Sequence, residues 1–294
     1  MSVAIERIGE GRALVGECPV WSALDGCWYW VDIVARTVWR LGSEGQLASW
    51  TADEMVACIA PSRDGTLVAG METGLFRLAL GEAGKAGGER LAVPASLGEG
   101  MRFNDGRCDR QGRFWSGTMF MDMAAERAVG QLYRYSNEDG LSEPVVSGLL
   151  TQNGLAFSPD GRTMYLSDSH PQSQQVWAFD YDLDAGLPSN RRPFVDMRTH
   201  PGRPDGAAID ADGCYWTCGN DAGVILRFTP DGKLDRTIAV PMAKPSMCSF
   251  GGTNLDTLLV TSISAGQDPA DPWAGATIML RPGVQGVAET PFGG

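Results

Sequence analysis

The chain has 294 residues, of which 43% are hydrophobic, and its formal net charge is −12. This composition is sufficient for a globular core, and no apolar run approaches the roughly 20 residues that a membrane-spanning helix needs. The acidic balance argues against nucleic acid or an anionic membrane as a partner, because both require clustered Lys and Arg.

The N-terminal segment MSVAIERIGEGR carries acidic residues early and lacks the apolar core of a secretory signal. The seven cysteines are odd in number and scattered in spacing. Cys214 and Cys218 lack the C-x-x-C spacing of a zinc site, and in a strand they would share a face without disulfide geometry. We therefore expect a cytoplasmic protein with buried, reduced thiols.

A short phrase recurs six times along the chain: a turn, then a strand rich in aromatic or β-branched residues. The copies are DG-CWYWVDI from Asp25, DG-TLVAGME from Asp64, QG-RFWSGTM from Gln111, DG-RTMYLSD from Asp160, DG-CYWTCGN from Asp212 and LD-TLLVTSI from Leu255. Their turn positions, 26, 65, 112, 161, 213 and 256, lie 39 to 52 residues apart. That spacing is typical of four-stranded propeller blades.

A second strand phrase follows each copy of the first. The copies are TVWRL at Thr37, GLFRL at Gly74, QLYRY at Gln131, QVWAF at Gln175, VILRF at Val224 and TIMLR at Thr277. Two strands in fixed order after a tight turn predict antiparallel neighbours, and six such units around an axis bury one another's faces. The sequence therefore predicts one domain over residues 1–294, an all-β, six-bladed β-propeller with four-stranded antiparallel blades. A β-sandwich would not require a phrase repeated at blade spacing, and the one helix-like stretch, residues 121–127, is short.

The innermost strand of each blade should precede the repeated phrase and line the central channel. Counting eight residues back from the turn gives Asn104, Asn153 and Asp205 in three blades, and nine back gives Glu17 in the first. Carboxylate and amide oxygens in one narrow channel predict a divalent metal, because without a cation they repel one another or lie unsatisfied. Aligning the blades by the glycine that follows makes Asp105 the alternative to Asn104.

Each of these residues also has an ordinary structural interpretation. Asn-Gly and Asp-Gly pairs are common turn residues, so the metal prediction depends on their recurrence at equivalent positions in four blades. Oxygen donors suit one hard divalent ion. We expect Ca²⁺ first, with Mg²⁺, Mn²⁺, Zn²⁺ or Fe²⁺ as alternatives.

Four motifs carry a resemblance to a known family. They are GECPVW at Gly16, RFNDGRCDRQGRFWSGTM at Arg102, TQNGLAFSPDGRTMYLSDS at Thr151 and RPDGAAIDADGCYW at Arg203. In this order, and over essentially the whole chain, they resemble the SMP-30/gluconolactonase/regucalcin-like family. The resemblance implies a six-bladed propeller, which agrees with the repeats, and an enzyme that hydrolyses a sugar lactone to the aldonic acid.

The resemblance implies that Glu17, Asn153 and Asp205 bind the metal. It also implies that Arg102 and Asn104 contact the substrate, with Asn104 close to the metal. Members of the family often have an acid shortly after the GTM motif that binds sugar hydroxyls. Here that acid is Asp122, which is shorter and has more apolar neighbours. The sugar therefore stays open among gluconolactone, galactonolactone, xylonolactone and arabinolactone.

The expected reaction is that of a gluconolactonase-type hydrolase. The metal would polarise the lactone carbonyl, and Asp205 would be the general base, because a carboxylate beside a cation is ionised at neutral pH. Arg102 would stabilise charge in the tetrahedral intermediate, although a salt bridge to Asp105 or Asp122 is an equal structural explanation. A phosphotriesterase-like or aryl-ester hydrolase, or a non-catalytic calcium-binding regulatory protein, are the alternatives.

Other catalytic schemes have little support in the sequence. The chain has no G-x-S-x-G motif and two histidines, His170 and His200, which both adjoin prolines in predicted loops. We expect both histidines to be loop residues, although one could line the rim of the pocket. No surface feature of the sequence predicts an oligomeric state.

Overall fold

Residues 4–293 are described by a computed structural model. Nearly all of its regular structure is strand, and its helical segments are three 3-10 turns, Glu82–Gly84, Met123–Ala125 and Met197–Thr199. The second turn lies inside the one stretch predicted to be helix-like. In this part of the chain no helix has the length and apolar character to cross a membrane.

Strands follow one another along the whole described chain. The first half contains β1 (Ile5–Arg7), β2 (Gly16–Ser22), β3 (Cys27–Asp32), β4 (Thr37–Leu41), β5 (Leu47–Thr51), β6 (Val56–Pro61), β7 (Leu67–Met71), β8 (Leu75–Leu80), β9 (Ala86–Ala92), β10 (Met101–Cys108), β11 (Phe114–Phe120), β12 (Gly130–Ser136), β13 (Gly140–Leu141) and β14 (Val146–Leu149). The second half contains β15 (Gln152–Phe157), β16 (Thr163–Asp168), β17 (Gln175–Asp182), β18 (Leu187–Asp196), β19 (Arg203–Ile209), β20 (Tyr215–Asn220), β21 (Val224–Phe228), β22 (Leu234–Ala239), β23 (Pro245–Gly251), β24 (Thr257–Ser262) and β25 (Ile278–Leu280).

These strands form six antiparallel sheets, which are the six blades. Blades 1 to 5 are β2–β5, β6–β9, β10–β14, β15–β18 and β19–β22, and blade 6 is β23–β25 together with β1. In blade 3 the outer position is shared by β13 and β14, which pair with different parts of β12. The predicted six-bladed propeller is confirmed, and each repeated phrase forms the second and third strands of its blade.

The ring closes because β1 pairs with β25 and supplies the outermost strand of blade 6. Blade 6 thus combines the beginning of the described chain with strands near its end. The inner strands β2, β6, β10, β15, β19 and β23 contact one another in that order around the ring. Apolar clusters fill the spaces between the blades, as expected for sheets that are buried on both faces.

All six inner strands contain a β-bulge near the beginning of the strand. A bulge inserts one extra residue, bends the strand and redirects its side chains. Because the bulge recurs in every blade at the same end of the channel, that end is lined by side chains that do not follow strict strand alternation. Four of the predicted site residues, Glu17, Asn104, Asn153 and Asp205, lie at these bulges.

The opposite end of the channel is covered by a segment near the C-terminus. Gly286 forms a bridge with Asp210 of blade 5, and Phe292 forms one with Ser62 of blade 2. Between them, Glu289 Oε1 lies 3.3 Å from Nη1 of the buried Arg107 on β10. This ion pair holds the C-terminal segment against β10 at the end of the channel opposite the predicted site.

Candidate active site

Five of the six predicted site residues gather at the mouth of the channel where the inner strands begin. Glu17 is on β2, Arg102 and Asn104 on β10, Asn153 on β15 and Asp205 on β19, each within the first four residues of its strand. Every blade repeats the same strand order, so these strand beginnings meet at one end of the ring. The fold therefore brings these residues together from four blades.

The pairing register divides the oxygen donors into two levels. Glu17 pairs with Val31 and Asn153 with Ser167, and both are the last paired residue before the bulge. Asn104 is instead the first residue inside the bulge of β10, and Asp205 has the same place in β19. These four residues therefore lie at two adjacent levels, and in the pairing register Asn104, rather than Asp105, matches Asp205.

The residues that follow Glu17 and Asn153 both have a left-handed backbone. Cys18 has φ 48° and Gly154 has φ 59°. This conformation is strained for any residue with a Cβ, and at Gly154 a Cβ would also lie 2.4 Å from the Tyr215 hydroxyl oxygen. The same unusual backbone conformation thus follows Glu17 and Asn153 in two opposite blades. In blade 1 it is adopted by Cys18, for which it is strained.

Two buried aspartates hold the chain just before Glu17 and Asn153. Asp32 ends β3 and Asp168 ends β16. Their carboxylates accept backbone N–H groups from the residues two and three positions earlier than Glu17 or Asn153: Leu14 (2.8 Å) and Val15 (3.1 Å) for Asp32, and Leu150 (2.9 Å) and Thr151 (3.0 Å) for Asp168. The entry of the chain into β2 and β15 is thereby fixed in the same way in both blades.

The two site asparagines have different hydrogen-bond partners. Asn153 Nδ2 donates to Ser169 Oγ at 2.9 Å, which directs its Oδ1 away from that contact and leaves it available to a cation. Asn104 Nδ2 donates to the carbonyl oxygen of Gln152 at 2.6 Å, and its Oδ1 accepts from Arg102 Nη1 at 2.6 Å. Asn153 therefore fits a metal ligand, whereas Asn104 is already engaged with Arg102.

Asp205 is held by Asn220, a residue that the sequence analysis did not single out. Asn220 ends β20, in the place that Asp32 and Asp168 occupy in their blades. Its Nδ2 donates to Asp205 Oδ2, and its Oδ1 is buried without a hydrogen-bond partner in the described chain. Asn220 therefore fixes one carboxylate oxygen of Asp205, and the other accepts no hydrogen bond within residues 4–293.

Burial raises the pKa values of both carboxylates at the mouth. Burial raises the pKa of Glu17 well above its ordinary value, and the nearby carboxylates of Asp205 and Asp105 raise it further. Burial likewise raises the pKa of Asp205. Asp105 lies beneath, with Oδ2 accepting from Leu155 N at 2.8 Å and Oδ1 buried without a partner in residues 4–293.

This donor set fits a hard divalent cation. Two carboxylates and one amide oxygen match the oxygen preference of such ions, and a cation between Glu17 and Asp205 would reverse the unfavourable burial of two like charges. Within residues 4–293 no group of three or more His, Cys, Asp or Glu side chains is arranged for a metal, so the amide of Asn153 is needed to complete the set.

Arg102 lies beside the acidic group rather than in a salt bridge with Asp105 or Asp122. Its Nη1 donates to the carbonyl oxygen of Phe103 at 2.8 Å as well as to Asn104. Burial lowers the pKa of Arg102 to about 10, although Glu17 and Asp205 oppose this effect. The guanidinium is thus fixed by one nitrogen, and its Nε and Nη2 make no hydrogen bond within the described residues.

Asp122 is not brought into this group. It lies on the exposed loop of residues 121–129 between β11 and β12, and its Oδ1 accepts from Ala124 N at 3.1 Å as the cap of a 3-10 turn. No hydrogen bond or ion pair joins it to the inner-strand residues within residues 4–293. His170 is buried beside this loop, and its Nε2 lies 3.1 Å from the carbonyl oxygen of Met123.

All seven cysteines are free thiols, as predicted. Six are buried, and Cys27 is partly exposed. Burial raises the pKa of Cys58 to about 12, which keeps this thiol protonated and unreactive. The cysteines therefore pack as apolar residues between the blades.

Several residues that shape the site were missed by sequence reasoning. They are Asp32, Asp168, Ser169 and Asn220. Three of them share one signal, since a polar residue ends the repeated phrase in VD, SD and GN. A polar side chain at the end of a buried strand, next to a predicted site residue, could have identified these three residues from the sequence.

Comparisons with known proteins identify the family of the chain. A family model described as the SMP-30/Gluconolactonase/LRE-like region matches residues 15–264. A 6-deoxy-6-sulfogluconolactonase from Pseudomonas putida is 37% identical over 299 residues, with 100% of both chains covered. An L-arabinolactonase from Azospirillum brasilense is 32% identical, with 98% of this chain and 95% of the relative covered.

Solved structures share the fold. A calcium-binding protein named regucalcin from Agrobacterium tumefaciens has a TM-score of 0.89 at 27% identity, with 99% of this chain and 97% of that chain covered. The family model covers most of the chain, and curated relatives match it from end to end. The chain therefore belongs to the SMP-30/gluconolactonase/LRE-like family.

Proposed function

We propose that this protein is a divalent-metal-dependent sugar lactonase that hydrolyses a gluconolactone-like aldonolactone to the aldonic acid. One observation carries the proposal: the partly buried carboxylate of Glu17 and the buried carboxylate of Asp205 lie with the amide oxygen of Asn153 at a channel mouth beside the partly buried Arg102. A purely structural cation site has no need of an arginine fixed next to it. The names of the lactonase relatives support the same reaction class.

Glu17, Asn153 and Asp205 would hold the cation, for which Ca²⁺ is our first choice. When bound, such an ion supplies Lewis-acid polarisation of the lactone carbonyl. It also keeps Asp205 ionised, because an opposite charge next to a carboxylate lowers its pKa.

Asp205 is the proposed general base. Asn220 occupies its Oδ2, so Oδ1 accepts a proton from the water that adds to the lactone carbonyl carbon. The C–O bond of the ring then breaks, and the departing ring oxygen takes up the proton that Asp205 holds. The sum is one water consumed and one hydroxy acid formed, with the base regenerated.

Arg102 is proposed to bind the substrate. Its Nε and Nη2 hydrogens can donate to the oxygen on which negative charge develops when water adds, and the fixed position of Nη1 means that little reorganisation is needed. Asn104 holds Arg102 in place through its Oδ1. Asp122 would contact sugar hydroxyls with its second carboxylate oxygen, because the first caps the turn.

The test is hydrolysis of a panel of aldonolactones by protein that has been stripped with a chelator and refilled with Ca²⁺, Mg²⁺, Mn²⁺, Zn²⁺ or Fe²⁺. The panel contains gluconolactone, galactonolactone, xylonolactone and arabinolactone, with 6-deoxy-6-sulfogluconolactone as the anionic member. Acid release is followed at constant pH. We expect turnover that the chelator abolishes and one of the metals restores. Tight metal binding without turnover of any lactone would exclude the proposal and favour another ester or a binding role.

A further inference from the structure

His170 connects blade 4 to the loop of blade 3 that carries Asp122. It lies in the loop between β16 and β17, and only 5% of its surface is exposed. Its Nε2 is 3.1 Å from the carbonyl oxygen of Met123, the residue that follows Asp122. A buried histidine therefore joins two loops from neighbouring blades at the channel mouth.

The hydrogen bonds indicate which ring nitrogen of His170 carries the hydrogen. His170 Nδ1 accepts the backbone N–H of Gln172 at 3.2 Å, so in the neutral imidazole the hydrogen must be on Nε2. Nε2 then donates to the carbonyl oxygen of Met123. With the hydrogen on Nε2 both ring nitrogens have a hydrogen-bond partner, and the ring connects the two loops.

The contact holds the loop at the one place where the loop is structured. Met123–Ala125 is a 3-10 turn, and the carbonyl oxygen of Met123 also accepts the N–H of Glu126 at 3.1 Å. Asp122 caps the same turn. Within blade 3 the loop is attached by the hydrogen bond from Met121 N to the carbonyl oxygen of Gly100 and by the guanidinium of Arg127, which lies 4.2 Å from the centroid of the Phe120 ring.

We propose that His170 is a positioning residue that latches the blade 3 loop, residues 121–129, to blade 4 and thereby sets the place of Asp122 at the substrate mouth. The kinetic part of this proposal rests on the proposed function. Loss of the His170 contact should leave metal binding unchanged. Ser169 accepts the hydrogen bond that orients Asn153, and the backbone N–H of Ser169 is itself held by the carbonyl oxygen of Thr151 at 3.0 Å.

The test uses two substitutions that separate the two ring nitrogens. In His170→Asn the side-chain oxygen can replace Nδ1 as the acceptor for Gln172, but nothing reaches Met123. In His170→Gln the longer amide N–H can replace Nε2 as the donor to Met123. His200→Ala is the matched control, because the ring of His200 stacks edge-on against Phe228 at 5.0 Å and makes no contact with the loop in the described chain.

The first readout is limited trypsin digestion, which needs no activity. Arg127 is exposed in the loop, and cleavage after it reports loop opening. Cleavage after Lys233, whose side chain is 81% exposed in a turn of blade 5, is the internal control, because it reports unfolding away from the blade 3 loop. Loss of one hydrogen bond should raise the Arg127 cleavage rate about tenfold in His170→Asn, with His170→Gln and His200→Ala close to wild type and Lys233 cleavage unchanged.

The second readout is kinetic. We expect His170→Asn to raise KM about five- to tenfold on the preferred lactone, with kcat within about twofold and metal affinity unchanged, because a substrate contact is misplaced while the reacting groups stay in position. Equal rates at Arg127 in wild type and His170→Asn, or acceleration at Arg127 and Lys233 alike, would overturn the latch. Absence of lactone turnover in the wild type would instead overturn the proposed function, and the digestion would still decide on His170.

Discussion

Asn220 Nδ2 donates a hydrogen bond to Asp205 Oδ2, so an amide at the end of β20 fixes one oxygen of the proposed general base. In blades 1 and 4 the residue at the same place is an aspartate that binds the backbone before Glu17 or Asn153. In blade 5 the residue at this position binds the side chain of Asp205 itself. The repeated architecture thus supports the candidate site in two ways, through the backbone before a site residue and through the side chain of a site residue.

Asn220→Ala should impair turnover more than it impairs folding. A hydrogen bond to a charged group contributes about 1.5–3 kcal/mol, so we expect kcat to fall roughly 10- to 100-fold as Asp205 loses its fixed orientation. Steady-state kinetics on the preferred lactone measure this loss. Asn137→Ala, at an exposed turn of blade 3, is the control and should keep wild-type kcat. Wild-type kcat in Asn220→Ala would show that Asp205 does not depend on this bond.

Gly154→Ala should be among the more destabilising single substitutions in the inner strands. The left-handed φ of 59° is strained for alanine, and the new Cβ would lie 2.4 Å from the Tyr215 hydroxyl oxygen and 2.5 Å from Ser167 Oγ. Strain and overpacking together should cost about 3 kcal/mol or more. Urea unfolding measures the change, and metal affinity should fall because Asn153 immediately precedes the disturbed residue.

Gly148→Ala is the matched control for that substitution. Gly148 also has a left-handed φ, 79°, but no atom lies within 4 Å of its would-be Cβ. It should therefore cost only the backbone strain, about 1 kcal/mol. Equal losses at the two positions would mean that the close contact with Tyr215 is relieved at no cost.

The repeated phrase predicted the fold because it encodes local structure. A turn followed by an aromatic or β-branched strand forms a hairpin from contacts within some 20 residues, as β3–β4 and β16–β17 do. The closure of blade 6 by β1 could not be predicted, because three residues at Ile5–Arg7 carry no phrase and their partner lies at the other end of the chain. The bulge in every inner strand was likewise invisible to a count of residues.

The site was predictable as a set of residue types but not as a set of contacts. Counting back from the turns identified Glu17, Asn104, Asn153 and Asp205, but the count assumed one register, and the bulges place these residues at two levels. The roles of Asn220 and Ser169 depend on neighbouring strands brought together by folding. Nothing local in a sequence reports such a contact.

Arg102→Ala should remove lactonase turnover and leave metal binding intact. The guanidinium is proposed to meet charge that develops during the reaction, and it also places a positive charge near Glu17 and Asp205. Its loss should therefore lower kcat by a factor of about 100 or more while metal affinity stays equal or rises. Calorimetric metal titration beside lactone kinetics distinguishes the two effects.

Arg102→Lys tests whether the positive charge alone is sufficient for turnover. A lysine keeps a charge but cannot donate from a planar fork, so we expect activity to remain far below wild type. Arg90→Ala, at an exposed position of blade 2, should change neither quantity. Near-normal turnover in Arg102→Ala would remove Arg102 from the substrate site.

One thiol in seven should react in the native protein. Cys27 is the partly exposed cysteine, and the other six are buried. A thiol reagent at mildly alkaline pH should therefore titrate a single group before denaturation and seven afterwards, since burial both excludes the reagent and raises thiol pKa values. Cys27→Ser should abolish the native reaction. Rapid reaction of further thiols in that variant would indicate that the blades open readily.

Glu17→Gln should change stability in opposite directions with and without metal. In chelator, the partly buried carboxylate of Glu17 and the buried carboxylate of Asp205 repel each other and are costly to ionise, so removing one of them should leave the protein as stable as wild type or more stable. With saturating Ca²⁺ the wild type gains binding free energy, about 2.7 kcal/mol at a hundred times Kd, and the variant gains far less. Thermal unfolding of both proteins, with Ca²⁺ and with chelator, measures the crossover, and Glu10→Gln at an exposed position should show none. If Glu17→Gln is stabilised by Ca²⁺ as much as wild type, Glu17 does not bind the metal.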